Sequence, residues 1–387
     1  DSAAPPSMNI VLISCILLTV AYTTLMIMYR RGWLLQREFT VPPNYEPATR
    51  ITVVIPARNE AANIAPCIES VLTQIYPGYL LEVVVVDDHS DDNTAAIVAE
   101  YADRNVCCIS LAEHLKDSEP THAYKKAAIS AGISQAAGEL IVTTDADCTA
   151  PNMWLRYIAA RYEQTGADMI VAPVQYKARN TILQLFQLID FMSMQGITAA
   201  AHALKLGNMS NGANLAFRKV AFNEVGGYEG INHLASGDDY LLMMKIHQQN
   251  PKSISYLKSN LATVTTPAQP DWQSFLQQRI RWASKSGKYN DTRLTLVLLL
   301  VYTFNVMVLL LSLSSFFHPA LQFTAAVVVA VKIVAEYYYL RPVAHFFGQD
   351  RALWYFPFLQ PLHVIYIVLA GFLGFVGVYE WKGRKVK

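Results

Sequence analysis

Charge is scarce in this chain. Asp, Glu, Lys and Arg supply 16% of its 387 residues, against about 25% in ordinary soluble domains. The charges that are present nearly cancel, leaving a formal +1, so no electrostatic footprint of a nucleic-acid partner exists. The five cysteines, Cys15, Cys67, Cys107, Cys108 and Cys148, form no C-x-x-C pair. Their spacing predicts free buried thiols in a reducing compartment and no structural zinc. No G-x-G-x-x-G follows any strand-like run, so the dinucleotide fingerprint is absent. Internal repeats and low-complexity tracts are also lacking.

What is abundant is apolar: 53% of the residues, in one block at the start and a larger one at the end. Residues 1–7, ahead of Met8, read as a tag remnant or a disordered lead. Met8 to Tyr29 is long enough to span a bilayer, which takes about 20 apolar residues. Arg30, Arg31 and Arg37 follow it. A signal peptide would carry its basic residues first, and the positive-inside rule puts the next domain in the cytosol. Residues 30–49 read as a linker and 50–270 as the cytosolic domain. Residues 271–290 read as an amphipathic interfacial helix, with Trp272, Phe275, Ile280 and Trp282 among Arg279, Arg281, Lys285 and Lys288. Residues 291–380 form a C-terminal membrane region of two to three spanning helices, with apolar runs at 294–317, 320–340 and 354–379. Residues 381–387 are a basic tail. Three full C-terminal crossings would put that tail outside, against its charge, so one run is expected to be re-entrant or interfacial. Lys332 and Glu336 lie one helical turn apart in the middle run and are expected to pair, because lone charges are costly in lipid.

Between the apolar blocks the pattern is α/β. Short β-branched runs at 51–55, 81–86, 140–144 and 169–171 suit buried strands of a mainly parallel sheet. Helical stretches at 60–74, 92–104 and 124–137 alternate with them. Carboxylates gather where strands end: Asp87, Asp88 and Asp91 after the second, Asp145 and Asp147 after the third. Ligands of open α/β sheets bind at that edge. Ser90 and Asp91 alone would read as a helix N-cap. Asp145-Ala146-Asp147 serves no packing purpose, and its two carboxylates repel unless a cation or donors sit between them. Hard divalent ions take such ligands together with phosphates. Asp238 and Asp239 open a further helix. They suit either a catalytic base, since paired carboxylates raise one another's pKa, or a plain dipole-favoured N-terminus.

Taken in order, Pro56…Asn59-Glu60, Asp87-Asp88-x-Ser90, Asp145-x-Asp147, Gly237-Asp238-Asp239 and Gln278-x-x-Arg281-Trp282 resemble the family-2 glycosyltransferases. That family includes cellulose and hyaluronan synthases and ceramide glucosyltransferase. The resemblance covers about Thr52 to Trp282. It implies a GT-A fold, a nucleotide-sugar-binding α/β domain with a mainly parallel sheet flanked by helices. It also implies roles. Pro56, Ala57 and Glu60 would line the nucleoside pocket, and Asp88 would hold the base, by family habit uracil. Asp145 would hold the ribose or donor sugar, and Asp147 would ligate Mg²⁺ or Mn²⁺. Asp239 would be the catalytic base. Asp238, Gln278, Arg281 and Trp282 would serve the diphosphate and acceptor, with Asn211 and Asn214 on an acceptor-side loop. Lys125 matches a donor-binding lysine that the family often precedes with glycine. Tyr124 stands there instead, so Lys126 is an alternative.

The implied partners are a nucleotide-sugar donor, a lipid or glycan acceptor and membrane lipids. The implied reaction is inverting, with one base and one displacement. The place implied is a bacterial inner membrane, with the catalytic domain cytosolic. Few helices favour transfer of one sugar to a lipid over a processive polysaccharide synthase. A non-catalytic nucleotide-sugar-binding subunit would lack Asp147 or Asp239, and both are present.

Overall fold

A computed structural model describes residues 6–116, 123–177, 181–207, 209–232, 234, 237–284, 291–376, 379–381 and 384–386. Lys285 and Lys288, expected on the amphipathic helix, lie outside the described residues, as do 1–5 of the expected tag remnant. In chain order the elements are α1 (Pro6–Leu35), β1 (Ile51–Ala57), α2 (Ile64–Leu72), β2 (Leu81–Asp87), α3 (Thr94–Ala99), β3 (Val106–Ser110), α4 (Leu111–His114) and α5 (Tyr124–Gln135). There follow β4 (Leu140–Thr143), α6 (Trp154–Thr165), β5 (Met169–Val171), β6 (Val174–Tyr176), α7 (Ile182–Leu204), β7 (Leu215–Arg218), α8 (Lys219–Glu224) and α9 (Asp238–Gln249). The chain ends with β8 (Ile254–Tyr256), β9 (Val264–Thr266), α10 (Trp272–Ala283), α11 (Thr292–Ser315), α12 (Gln322–Phe346), α13 (Phe356–Val376), β10 (Tyr379–Trp381) and β11 (Arg384–Val386). They fall into two compact units: 36–177 with 208–268, and 1–35 with 178–207 and 269–387.

The first unit is built on a seven-stranded sheet of order β3-β2-β1-β4-β7-β5-β8. β1 runs parallel to β2 and β4, and β2 to β3, while β7 is antiparallel to both its neighbours. Ile51, Val53, Val54 and Ile55 of β1 and Val83 to Val86 of β2 are buried. Strands covered on both faces read as unbroken apolar runs for this reason, and each such side chain contributes about 1.5–3 kcal/mol when buried. Gly132 lets α5 approach the sheet: a Cβ there would stand 2.5 Å from Val54 Cγ1. β6 and β9 form a separate parallel pair. Thr149 joins β9 through two 2.8 Å backbone bonds with Thr265, which ties down the chain just after Asp147.

The second unit holds α1, α7 and α10 to α13. Four stretches among the described residues are long and apolar enough to cross a membrane: Val11–Leu35, Thr292–Ser315, Pro319–Phe346 and Phe356–Phe375. The first corrects the expected linker. The helix continues through Arg30 and Arg31 to Leu35, with Arg30 stacked 4.2 Å from the Tyr338 ring centroid and Trp33 buried edge-on to Phe346. A second correction concerns 178–207, read from sequence as part of the α/β domain. It supplies α7 to the helical unit, where Tyr339 donates to the Ser193 carbonyl at 2.7 Å. Polar residues hid this helix: Gln187 and Asp190 look solvated in sequence but are buried. Lys332 and Glu336 pair as expected, at 2.5 Å. Gln360 completes the pair, accepting from Lys332 and donating to Glu336, both at 2.7 Å.

Candidate active site

In the sheet-built unit the site grows from the carboxyl ends of β1, β2 and β4 and the start of β7. The loops after β1 and β2 are stitched together. Asp88 N–H donates to the Ala57 carbonyl at 2.7 Å, Asn59 N–H to Ser90 Oγ at 3.0 Å and Glu60 N–H to Thr94 Oγ1 at 2.8 Å. Asn59 and His89 both take left-handed backbone, at φ 52° and 54°, a conformation rare outside glycine that Asn and His tolerate better than most. Asp88 is buried. Arg58 Nη1 lies 3.8 Å from its Oδ1 and His89 Nδ1 2.9 Å. Pro56, Ala57 and Glu60 therefore belong to the same knitted edge as Asp88.

The His89 ring meets Tyr124 edge-on at 5.6 Å, and this contact leads to the second cluster. Tyr124 also packs on the core of Val84, Val86 and Leu111, which accounts for an aromatic where the family often has glycine. One residue on, Lys125 Nζ sits 2.7 Å from Asp145 Oδ1 and 3.4 Å from Asp238 Oδ2. Burial works against its charge, but the Asp145 and Asp238 carboxylates outweigh that and raise its pKa. Lys126 points elsewhere, donating to the Ile231 carbonyl at 3.0 Å and to that of Leu234. Of the two lysines, Lys125 is the one among the carboxylates.

Asp239 enters the cluster through the backbone. Its Oδ2 accepts from Gly212 N–H at 3.1 Å and its Oδ1 from Tyr240 N–H at 2.7 Å. Gly212 is hemmed in: a Cβ would lie 3.1 Å from Asp238 Oδ2 and 3.6 Å from Lys125 Nζ. Thr143 holds it, donating to its carbonyl at 2.9 Å. Asn211 shapes the turn, its Oδ1 accepting from Ala213 N–H at 3.0 Å. Asn214 does not suit an acceptor site. It is wholly buried, accepts from Trp154 Nε1 at 2.8 Å and donates to the Pro173 and Ala262 carbonyls at 2.7 Å each. Those three bonds make it a brace between α6, the segment after β5 and the segment before β9.

Asp145, Asp147 and Cys148 bring one ligand atom each to within 4.8 Å of one another. The donor set fits a hard divalent ion through its two carboxylates. Such an ion prefers oxygen to sulfur, so the carboxylates are the ligands this group offers it, with the Cys148 thiol beside them. Burial first, then Asp147 and Asp145, raise its pKa, and as a thiol it sits 3.4 Å from Asp147 Oδ1 as a donor. Cys67, buried below, is raised by the same causes and contacts the Asp145 carbonyl at 3.5 Å. Three of the five cysteines are buried, as expected. Cys107 and Cys108 are instead exposed on β3. Sequence reasoning also passed over Arg58, His89 and Cys148. His89 and Cys148 stand next to Asp88 and Asp147 in sequence, and Arg58 lies between Ala57 and Asn59 of the first motif, which was the available signal.

Gln278, Arg281 and Trp282 belong to the helical unit, on α10. Asp271 caps that helix, accepting from Ser274 N–H at 2.8 Å. Between the motif residues, Arg279 is buried. Its Nε donates to Asp190 Oδ2 of α7 at 3.0 Å, Nη2 forms an ion pair with the same oxygen at 2.7 Å, and the guanidinium lies 4.2 Å from the Trp282 ring centroid and 4.8 Å from that of Phe275. Arg279 also donates to Gln278 Oε1 at 3.0 Å. The motif is thus set on a helix pinned by a buried ion pair.

Residues 52–225 match the profile of Glycosyl transferase family 2. Residues 140–373, more than half of the chain, match that of Glycosyl transferase family group 2. The chain belongs to the family-2 glycosyltransferases. It is 30% identical over 189 residues to the glycosyltransferase AglE of Haloferax volcanii, a match covering 49% of this chain and 58% of AglE. Over 112 residues it is 34% identical to the undecaprenyl-phosphate 4-deoxy-4-formamido-L-arabinose transferase of Serratia proteamaculans, covering 27% of this chain and 31% of that one. The chain therefore spans less than two thirds of the length of these curated relatives. Among solved structures, the mannosyltransferase PcManGT from Pyrobaculum calidifontis, in complex with GDP-Man and Mn²⁺, shares the fold. Its TM-score is 0.58 at 20% identity, over 94% of this chain and 98% of that one.

Proposed function

We propose that this chain transfers a sugar from a nucleoside-diphosphate sugar, foremost a UDP-sugar, to a lipid acceptor at the cytosolic face of a bacterial inner membrane, with inversion at the anomeric carbon. The observation that carries it is the convergence of Asp238, Asp239 and Lys125 on Gly212, with Asp145 paired to Lys125, at one edge of the sheet, in a chain with four apolar helices of spanning length among the described residues. A relative named for transfer to undecaprenyl phosphate supports a lipid acceptor. A fold neighbour holding GDP-Man and Mn²⁺ supports a nucleotide-sugar and a metal.

Asp147 and Asp145 would hold Mg²⁺ or Mn²⁺, which when bound offsets the charge growing on the diphosphate. Lys125 adds a cation beside Asp145 for the same anion. Asp88, set by Arg58 and His89, would receive the base, against the edge formed by Pro56, Ala57 and Glu60. Asp239, fixed by two backbone donors, would take the acceptor hydroxyl's proton as it attacks. Gln278, Arg281 and Trp282 would serve the diphosphate and acceptor, with Asn211 shaping the acceptor-side turn. One base and one displacement give inversion, with no second carboxylate needed as a nucleophile.

The test is nucleotide release by the purified protein in detergent with a lipid extract, across UDP- and GDP-sugars, with and without Mn²⁺. Release from one donor is expected, abolished by Asp147→Ala and cut by about 100-fold or more by Asp239→Asn, with donor binding kept in the latter. A product that partitions into organic solvent fits the lipid acceptor, whereas a water-soluble polymer replaces it with a processive synthase. Release indifferent to Asp147→Ala, or absent with every donor, overturns the reading.

A further inference from the structure

The helical unit contains its own depth scale. α1 and α12 run in the same direction, as three contacts in order show: Tyr22 bonds Glu336, the Tyr29 ring faces Tyr339 and Trp33 meets Phe346. α11 runs against them. Its Phe304 stacks on Tyr22 at 4.1 Å. Its first residues sit by the end of α7, where Arg293 donates to the Lys205 carbonyl at 2.8 Å, and that end of α7 in turn closes on Gly32 of α1. Tyr22, Phe304, Lys332 and Glu336 thus mark one level across three helices.

α13 does not travel along this scale. Gln360 meets that level at Lys332 and Glu336. Eleven residues later Gly371 meets it again: a Cβ there would lie 2.5 Å from the Tyr302 ring. Eleven helical residues cover roughly 16 Å, so a helix aligned with α11 and α12 would have left the level far behind. α13 instead keeps company with α10. Tyr366 packs on Phe275 at 5.3 Å, Leu359 and Leu362 join the Phe275 cluster, and a Cβ at Gly374 would press on Ala283 at 2.6 Å. Eight residues of one helix match eight of the other, in parallel. Were α13 a crossing, its end would stand near the α11–α12 turn, not beside the end of α10.

We infer that α13, though long enough to span, does not cross the bilayer. It lies across the bundle in the leaflet at the carboxyl ends of α1 and α12, entering and leaving on one side. Its partner is lipid. Phe358, Ile365, Leu369, Phe372 and Phe375 are exposed along a single face at helical spacing, Phe375 to 94%, and such a stripe seats in the acyl boundary of an interface. The opposite face carries Gln360 to the buried charged pair. Three crossings remain, and Arg384 and Lys385 of β11 return to the side from which the chain leaves α1. With Arg384 and Lys385 so placed the positive-inside rule is satisfied, which a fourth crossing violates.

Two epitopes decide it, one inserted between Phe317 and His318 and one after Lys387, each probed by protease in intact spheroplasts and in inverted vesicles. Only α12 separates them if α13 lies flat, so they are expected on opposite sides. Digestion of both from the same side overturns the inference. Should an insertion block assembly, impermeant-maleimide labelling of Phe317→Cys and Lys387→Cys, in a chain whose native cysteines are serine, reads the same geometry with the same two outcomes. Neither readout depends on enzymatic activity.

Discussion

Single residues divide into those that face the site and those that hold it, and Asn214 shows how easily the two are confused. Its place in Asn211-Gly212-Ala213-Asn214 suggested acceptor contact. Its three internal bonds predict that Asn214→Ala costs about 1–3 kcal/mol through orphaned partners, read as a lowered melting temperature in detergent. Lys258 gives a pH signature. Burial, partly offset by Glu38, lowers its pKa to about 8, against about 10.4 in an unfolded chain. Below about 8 both states hold the proton and the desolvation penalty is complete. As pH climbs toward 10.4 the unfolded chain binds more protons, so stability rises. Lys258→Met is expected to flatten that rise in denaturation midpoints measured from pH 7 to 10. The carboxylates at strand ends were legible in sequence because acids there have no packing use. Asn214 was not, because burial is a property of the fold and not of the residue.

At the scale of elements, the strands of β1, β2, β4 and β5 could be read because a sheet covered on both faces writes itself as β-branched runs. α7 could not. Its Gln187 and Asp190 are polar residues answered by partners distant in sequence, Gln269 and Arg279, and no local pattern announces such a partner. The Asp190–Arg279 pair ties α7 to α10 in a buried setting. Breaking one side leaves an uncompensated charge, a loss of about 3–5 kcal/mol. Asp190→Ala is therefore expected to destabilise strongly in thermal melts. Asp190→Leu combined with Arg279→Met should recover much of that loss, because no charge is then stranded. Equal loss in the single and double variants would count against the pair as the cause.

For the whole molecule, attachment to the membrane follows from apolar length rather than charge. The net charge is +1, and the helical unit presents exposed Leu296, Leu299, Leu310 and Leu313 on α11 and Val11, Ile13, Leu17 and Val20 on α1. Surface attraction of basic patches is screened by salt within a Debye length, whereas apolar burial is not. The protein is expected to stay in the membrane pellet through washes with molar salt and with alkaline carbonate, and to leave it only in detergent. Release by salt alone would contradict the reading of these helices as spans.

The excursion of the chain at 178–207 has a further consequence, for dissection. The sheet-built unit is interrupted in sequence by α7 and resumes after it. A fragment cut at residues 36 and 268 keeps that helix and strips it of its partners. Leu183, Phe186, Leu188, Phe191 and Met192, buried in the intact chain, would then form an open apolar stripe of the kind that drives aggregation. The half of the enzyme that resembles a soluble protein is not portable: it cannot be lifted out of the membrane protein by choosing two ends.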